Sequence, residues 1–303
     1  MGEIADALRR ARRERSSSEA EQRPAPPRES PQQAAGAVSA APEPLAAPEI
    51  QRLPPPERVV EALTPCDPAI ALADSVSVEA CRGVAVRLRS ELERRGEKTV
   101  AIVSAIRGEG KTTVLCNLGL ALASLSASDD LALVDLDLRK PSIARVLGVS
   151  PSQGVEKVLR GTASLEEVRI SIAQPGLDVY PAAEPVRSAH ELLILPSFAA
   201  MIRQLEQRYS LVVFDTPPTL LVPDTSLILQ QVHACVPVAR AGQTRARYLQ
   251  QMLEVLPRGQ ILGEVLNCAR TPRYASDYYR YGPEAEAEAG SKVARRSRFA
   301  RKR

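Results

Sequence analysis

The feature that most constrains the fold is an alternation of short apolar runs with helical patterns between about Asp74 and Asn267. Six of the apolar runs are typical of β-strands. The predicted strands are Thr99–Ser104, Leu131–Asp135, Leu177–Tyr180, Leu211–Asp215, Cys235–Ala239 and Ile261–Asn267. The predicted helices are Val76–Arg95, Thr112–Leu125, Pro141–Leu147, Ala189–Tyr209 and Ala246–Leu256. Near-continuous apolar strands that alternate with helices predict an α/β domain, with a mostly parallel sheet covered on both faces.

Proline and charge divide the rest of the 303-residue chain into segments. Residues 1–23 contain apolar side chains at helical spacing opposite arginines, which is typical of a short docking segment. Twelve of the 25 prolines lie between Pro24 and Pro68, so residues 24–73 are predicted to be a disordered linker. Residues 74–270 form the predicted α/β domain, and residues 271–303 carry a tyrosine cluster followed by a basic tail.

Composition excludes several kinds of site. The five cysteines include no C-x-x-C pair, and there are only two histidines, so neither a disulfide scaffold nor a cysteine-based zinc site is expected. No stretch approaches the roughly 18 apolar residues of a membrane span, and no signal peptide is recognisable, which predicts a cytoplasmic protein. The net charge of +4 arises entirely within residues 283–303, so the body of the chain predicts no nucleic-acid-binding face.

A phosphate-binding loop is predicted directly after the first long strand. The sequence Ala105-Ile-Arg-Gly-Glu-Gly-Lys-Thr-Thr113 stands between a strand and a helix, which is the context that a P-loop requires. Gly108 and Gly110 allow successive N–H groups to converge on an anion. Lys111 is expected to reach the β- and γ-phosphates of a nucleotide, and the Thr112 hydroxyl is placed to bind Mg²⁺. The first glycine of the usual P-loop pattern is Ala105 here.

Carboxylates follow two other predicted strands. Asp135 and Asp137 end the strand Leu131–Asp135, and Asp215 ends the strand Leu211–Asp215. Because the carboxyl ends of parallel strands meet at one edge of the sheet, these side chains are expected to lie near the P-loop. Mg²⁺ commonly takes one or two carboxylates together with water and nucleotide phosphates. The combination predicts a site for Mg²⁺ and ATP.

These motifs resemble the bacterial tyrosine kinases (BY-kinases) of capsule and exopolysaccharide biosynthesis. The resemblance rests on the P-loop, on Val134-Asp-Leu-Asp-Leu-Arg139 and on Phe214-Asp-Thr-Pro-Pro218, and it extends over roughly residues 76–282. It implies an ATP-dependent tyrosine autokinase that regulates polysaccharide polymerisation and export. Two other functions are considered, namely a P-loop ATPase scaffold without kinase activity and a partition-type ATPase. The second is less favoured because no lysine lies between Val100 and Gly110.

The resemblance also implies individual roles. The implied catalytic residues are Lys111, Asp135, Asp137, Arg139 and Asp215, with Asp135 as the candidate base. The implied nucleotide-binding residues are Gly108, Glu109, Gly110, Lys111, Thr112, Thr113 and Asn267, with Asn267 near the adenine. The implied Mg²⁺ ligands are Thr112, Asp137 and Asp215. A carboxylate that does not bind the metal could accept the proton of an incoming hydroxyl group.

Four of the seven tyrosines fall within eight residues, at Tyr274, Tyr278, Tyr279 and Tyr281. Clustered tyrosines near a chain end are hard to explain as core, and the resemblance implies that they are the phosphoacceptors. It further implies a membrane chain-length determinant (polysaccharide co-polymerase) as partner, a homo-oligomer, a tyrosine phosphatase, and a place at the inner face of the plasma membrane. The family's E-x-x-R-x-x-R oligomerisation pattern is incomplete, because Ala85 follows Glu79 and Arg82.

Overall fold

The computed structural model describes residues 58–61, 63, 65, 70, 76–125 and 131–269. The predicted docking segment, most of the linker, the tyrosine cluster and the basic tail therefore lie outside the described residues. Within the described residues, no helix has the length and apolar character that crossing a membrane requires.

The described chain forms a three-layer α/β domain around one eight-stranded sheet. The strands are β1 (Val59–Val60), β2 (Thr99–Ser104), β3 (Leu131–Asp135), β4 (Ile170–Ile172), β5 (Leu177–Tyr180), β6 (Leu211–Asp215), β7 (Ala234–Arg240) and β8 (Val265–Asn267). The longer helices are α1 (Val76–Arg95), α2 (Lys111–Leu125), α7 (Pro196–Arg208) and α9 (Ala246–Val255). The shorter helices are α3 (Ile143–Leu147), α4 (Val155–Leu159), α5 (Leu165–Val168), α6 (Ala189–Leu193) and α8 (Asp224–Leu229), and a 3-10 turn covers Arg258–Gln260.

The strand order is β1-β4-β5-β3-β6-β2-β7-β8. All neighbouring strands are parallel except β4 and β5, which are antiparallel. The central strands β3, β6 and β2 are buried along their whole length. One apolar core packs α1, α2 and α3 against one face of the sheet, and a second packs α7 and α9 against the other face. The predicted mostly parallel sheet with helices on both faces is confirmed.

Two predicted elements differ from the structure. The predicted helix Ala189–Tyr209 is two helices, α6 and α7, because Leu195 is extended (φ −69°, ψ 147°) before Pro196. A residue that precedes proline is sterically biased away from the helical region, and the proline ring fits the first turn of the next helix. The predicted strand Ile261–Asn267 shortens to β8, and Ile261 forms only an isolated bridge to Cys235.

Candidate nucleotide and phosphoryl-transfer site

The P-loop connects β2 to α2 at the carboxyl edge of the sheet. Gly108 and Gly110 both have left-handed backbone conformations, with φ of 82° and 83°. A side chain at Gly110 would also collide with Asn267, because a Cβ atom there would lie 2.2 Å from its Nδ2 atom. Glycine is therefore needed at Gly110 both for the left-handed backbone conformation and for the close approach of the loop to β8.

The Glu109 side chain connects this loop through hydrogen bonds to the end of β7 and the turn that follows it. Its side chain is buried, and one carboxylate oxygen accepts the Ile106 N–H at 2.8 Å. The other carboxylate oxygen accepts the Thr244 hydroxyl, which in turn accepts the Arg240 N–H at 2.8 Å. The Arg240 guanidinium donates to the Gly108 carbonyl at 3.0 Å. Sequence analysis assigned Glu109 to the loop but did not anticipate Thr244, which lies 135 residues away.

The helix α2 begins at Lys111, so the lysine and Thr112 project from its first turn toward the carboxylates. Lys111 Nζ lies 3.4 Å from Asp215 Oδ1 and 3.9 Å from Asp137 Oδ2. The Thr112 hydroxyl donates to Asp215 Oδ2 at 2.5 Å and contacts the Ser142 hydroxyl at 2.9 Å. The structure thus brings together the predicted lysine, hydroxyl and two carboxylates.

Strand register explains why Asp135 and Asp215 are neighbours. They are paired residues of β3 and β6, and both side chains are fully buried. The Asp135 carboxylate accepts backbone N–H groups from Asp137 at 3.2 Å, Ser142 at 2.8 Å and Ile143 at 3.0 Å. Burial and the nearby Asp215 charge raise the pKa of Asp135 to about 8, against the lowering effect of the Ile143 and Ser142 N–H groups.

Asp137 occupies a more open position at the same edge. Burial, opposed by the Lys111 charge, raises its pKa to about 6, and the Asp215 charge adds to the increase. Its carboxylate also accepts the Lys140 N–H at 3.2 Å. Like charges in a buried site favour protonation or a bound cation. This donor set fits Mg²⁺, because Asp215 Oδ1 is buried without a hydrogen-bond partner among the described residues and lies 3.4 Å from Lys111 Nζ.

Arg139 is held by a bidentate ion pair. Its Nε and Nη2 atoms donate to the two oxygens of Asp224 at 2.7 and 3.1 Å, and Asp224 is buried at the start of α8. Its Nη1 atom donates to the Arg187 carbonyl at 2.7 Å. Such a fork–fork pair fixes the guanidinium orientation. The family resemblance implies a catalytic role for Arg139, but the sequence gives no sign that Asp224 is its partner.

An open cleft of about 220 Å³ lies over the P-loop. It is lined by P-loop residues including Glu109, Lys111, Thr112 and Thr113, by Asp137 and Arg139, and by two further walls. One wall contains Lys140, Ser142, Arg145 and Val146, and the other contains Pro217, Pro218, Leu221 and Val222. Asp135 and Asp215 lie behind this surface. Asn267 also lies outside the cleft lining, and its Nδ2 atom donates to the Glu109 carbonyl at 3.0 Å.

The described tyrosines differ sharply from one another in accessibility. Tyr180 and Tyr209 are fully buried, whereas Tyr248 is half-buried beside Arg247. The four predicted phosphoacceptors lie outside the described residues. Among the described residues, no three or more His, Cys, Asp or Glu side chains form a metal-binding group by themselves, and the Mg²⁺ ligand set considered above has two carboxylates and the Thr112 hydroxyl.

Tyrosine-protein kinases are found among both the similar sequences and the similar solved structures. No protein-family model matches the chain. The crystal structure of the VpsO kinase domain is 33% identical and aligns with a TM-score of 0.57, covering 64% of this chain and 97% of that domain. Tyrosine-protein kinase YwqD of Bacillus subtilis is 28% identical over 69% of this chain and 87% of its own length. EpsB of Ralstonia nicotianae is 28% identical over 72% of this chain, which spans 31% of EpsB.

Proposed function

Since this chain belongs to the family of bacterial tyrosine kinases, we propose that it transfers the γ-phosphoryl group of ATP to tyrosine hydroxyls of its own sequence. The observation that carries the proposal is the convergence of Lys111 and Thr112 on Asp137 and Asp215 beside the P-loop. Phosphoryl transfer depends mainly on positioning and charge neutralisation, and this cluster is built to supply both.

In the proposed complex, Thr112, Asp137 and Asp215 would hold Mg²⁺. Bound Mg²⁺–ATP supplies the phosphoryl group and neutralises part of its charge. Few protein ligands suffice for this ion, because Mg²⁺ retains water and takes phosphate oxygens. Lys111 would face the phosphates from the first turn of α2, and the N–H groups of the loop from Gly108 to Thr113 would bind their oxygens. Asn267 is proposed to lie near the adenine.

Asp135 is our proposed base, because a pKa raised to about 8 suits a proton acceptor that works near neutral pH. The Asp135 carboxylate is buried and accepts three backbone N–H groups, whereas Asp137 lines the cleft. Asp137 is therefore the competing candidate for the base. Single Asp135→Asn and Asp137→Asn variants separate the two roles when Mg²⁺ affinity and transfer rate are both measured. Loss of transfer with unchanged Mg²⁺ affinity in Asp135→Asn supports the base, and loss of Mg²⁺ affinity in Asp137→Asn supports the metal ligand.

Arg139 is proposed to contribute through its ion pair with Asp224, which fixes the loop after β3 against α8. We also propose ATP-dependent regulation of polysaccharide export at the inner membrane face, with a membrane co-polymerase, a tyrosine phosphatase and further copies of this chain as partners. The family resemblance supports these proposals. For the oligomer, Glu79 and Arg82 of α1 form an ion pair and match two of the three charged positions of the family's oligomerisation pattern.

The deciding experiment is phosphotyrosine detection after the full chain is incubated with Mg²⁺–ATP. We expect signal from the wild type and none from Lys111→Met. Joint replacement of Tyr274, Tyr278, Tyr279 and Tyr281 by Phe should remove the signal and leave ATP hydrolysis measurable. Hydrolysis without phosphotyrosine in the wild type would favour an ATPase scaffold instead. Phosphate found mainly on Tyr180, Tyr209 or Tyr248 would contradict the acceptor assignment.

A further inference from the structure

The cleft over the P-loop carries more positive charge than its own carboxylates balance. Five basic side chains line it, namely Arg107, Lys111, Arg139, Lys140 and Arg145. Two of them are already engaged, because Lys111 faces Asp137 and Asp215 while Arg139 is paired with Asp224. The lining acid Glu109 is likewise engaged, since both of its oxygens accept hydrogen bonds.

The other three bases are exposed and form what we call the basic rim, defined as Arg107, Lys140 and Arg145. Among the described residues, no carboxylate forms an ion pair with any of the three. Lys140 follows the Asp137 turn, and Arg145 projects from α3 next to Val146. Arg107 is near enough to Asp137 for its charge to lower the pKa of that carboxyl, so Lys140 and Arg145 are the two rim cations without an ion-pair partner among the described residues.

Another part of the cleft lining, which follows β6, is apolar. Pro217, Pro218, Leu221 and Val222 line it, and Leu221 is 52% exposed. This wall is fixed to the P-loop strand, because Thr219 N–H donates to the Ser104 carbonyl at 2.8 Å and Leu220 N–H donates to the Ala105 carbonyl at 3.1 Å. A cleft with one apolar wall and one cationic rim fits an aromatic ring that has acidic neighbours.

The chain itself contains a segment of this chemistry. Residues 274–290 hold four tyrosines, four acidic residues and one arginine. The acidic residues are Asp277, Glu284, Glu286 and Glu288. The described chain ends at Ala269, directly after Asn267, which is bonded to the P-loop. Four residues separate Ala269 from Tyr274, and an extended chain spans at most about 3.6 Å per residue. The acidic tyrosine segment is thus joined by a short connection to a part of the chain that contacts the P-loop, and its charge is complementary to the cleft.

We infer that the basic rim selects acceptor tyrosines that are followed by acidic residues, with segment 274–290 of this chain as its occupant. This inference rests on the proposed kinase function and adds the substrate class to it. Lys140 and Arg145 line the same cleft as Lys111 but belong to the loop after β3 and to α3, whereas Arg107 belongs to the P-loop itself. Lys140 and Arg145 are therefore the positions at which acceptor selection is tested.

The test uses two variants of the full chain, one as the kinase (the donor) and one as the substrate (the acceptor). Charges are reversed on the rim of the donor and on the glutamates of the acceptor. The donor carries Phe at the four clustered tyrosines, so that signal arises only from the acceptor, and the acceptor carries Lys111→Met. One acceptor retains Glu284, Glu286 and Glu288, and a second carries Glu→Lys at all three. The measured quantity is the ratio of phosphotyrosine formation on the two acceptors for each donor.

We expect the wild-type rim to prefer the glutamate acceptor by about tenfold at low salt, because several exposed ion pairs are replaced by repulsion. Donor Lys140→Glu with Arg145→Glu should reverse this preference. A matched donor with Arg203→Glu and Arg258→Glu, which are exposed bases outside the cleft, should retain the wild-type ratio. If the reversed donor is inactive on both acceptors, Lys140→Gln with Arg145→Gln should give a ratio near one.

Equal phosphorylation of both acceptors by the wild-type donor overturns the inference, as does a ratio that rim variants leave unchanged. Absence of phosphotyrosine with every donor overturns the proposed function instead. In that case, fluorescence anisotropy of a labelled peptide of residues 271–290 on the full chain tests the rim directly. Binding that Lys140→Glu with Arg145→Glu abolishes and added salt weakens supports the rim, and binding insensitive to both overturns it.

Discussion

Two regions of the sheet bury carboxylates, and they differ in the hydrogen-bond and charged partners that these carboxylates have. At the carboxyl edge, Asp135, Asp137 and Asp215 lie together with Lys111 as the neighbouring cation. On the outer strands β4 and β5, Asp178 accepts hydrogen bonds from Tyr209 at 2.5 Å and from Ser171, and lies 3.5 Å from Arg169. The outer carboxylate accepts hydrogen bonds on both oxygens, whereas the edge cluster brings three carboxylates together with the Lys111 ammonium and leaves Asp215 Oδ1 without a hydrogen-bond partner among the described residues.

The partners of a buried carboxylate indicate whether its role is structural or functional. A buried ion with complete partners is a structural feature, and it contributes to specificity or stability of the fold. A buried group of like charges raises its own pKa values and gains most when a cation binds. The outer network, defined as Asp178, Arg169, Ser171, Tyr180 and Tyr209, should therefore govern stability, while the edge cluster should govern activity.

The largest expected effect is on stability, from Asp178→Ala. This change leaves Arg169 and Tyr209 buried without their carboxylate partner, and removing one member of a buried pair costs about 3–5 kcal/mol in the free energy of unfolding. Urea unfolding measures the loss, and Asp178→Asn, which retains an acceptor oxygen, is the milder control. ATP turnover per folded molecule should persist. A stable Asp178→Ala protein would remove the distinction between the two regions.

The next effect is on catalysis, from Lys111→Met and Asp215→Asn. Each change removes charge compensation at the proposed phosphate site, and the loss of one such contact typically lowers the rate about 10²–10³-fold. Steady-state ATP turnover measures it, with thermal unfolding as a check on folding. Because Asp215→Asn also relieves repulsion with Asp135, we expect its melting temperature to equal or exceed that of the wild type. Near-normal turnover in either variant contradicts the site assignment.

A third test uses pH without Mg²⁺. The pKa of Asp137 is raised in the folded state from 3.8 to about 6, so the folded chain binds this proton more tightly than the unfolded chain does. The contribution of Asp137 protonation to the free energy of unfolding is complete below about pH 4 and is lost as the pH rises through about 6. A shift of about two units corresponds to about 3 kcal/mol. Asp135, whose pKa is raised further, extends the decline toward pH 8.

The pH measurement compares the free energy of unfolding of the wild type and of Asp137→Asn between pH 4 and 8. We expect the wild type to lose stability relative to the variant as pH rises, and added Mg²⁺–ATP to reduce the loss. If the difference in free energy of unfolding between the two proteins does not change with pH, the pKa of Asp137 is not raised in the folded state.

The smallest effect is expected from Tyr180→Phe in the outer network. Its hydroxyl contacts the Tyr209 hydroxyl at 2.7 Å, and one neutral hydrogen bond contributes about 1 kcal/mol. Tyr209→Phe should cost more, because it also removes the bond to the Asp178 carboxylate. Equal losses in the two variants, measured by urea unfolding, would contradict this ranking within the network.

Much of this architecture could be predicted from local sequence. The bounds of β2, β3, β5 and β6 and of α1 coincide with the predicted ones, because buried strands and a long helix have strong periodic patterns. The short strands β1 and β4 and the short helices α4, α5 and α8 were not predicted, and β1 lies within the segment 24–73 that was predicted to be a disordered linker. Two to six residues carry too little periodicity, and their pairing or packing partners lie elsewhere in the chain.

For the site, the P-loop glycines, Lys111 and Thr112, and the carboxylates at the ends of β3 and β6 could be identified from residue type and position at a strand end. Which charges face one another depends on the packing of elements that are distant in the chain. This packing pairs Arg139 with Asp224, 85 residues away, and fixes Glu109 through Thr244. It also buries Asp135 behind three N–H groups while leaving Asp137 on the cleft wall. The physical reason is that burial and Coulomb interactions depend on distances set by sheet register and helix packing, which a linear pattern does not contain.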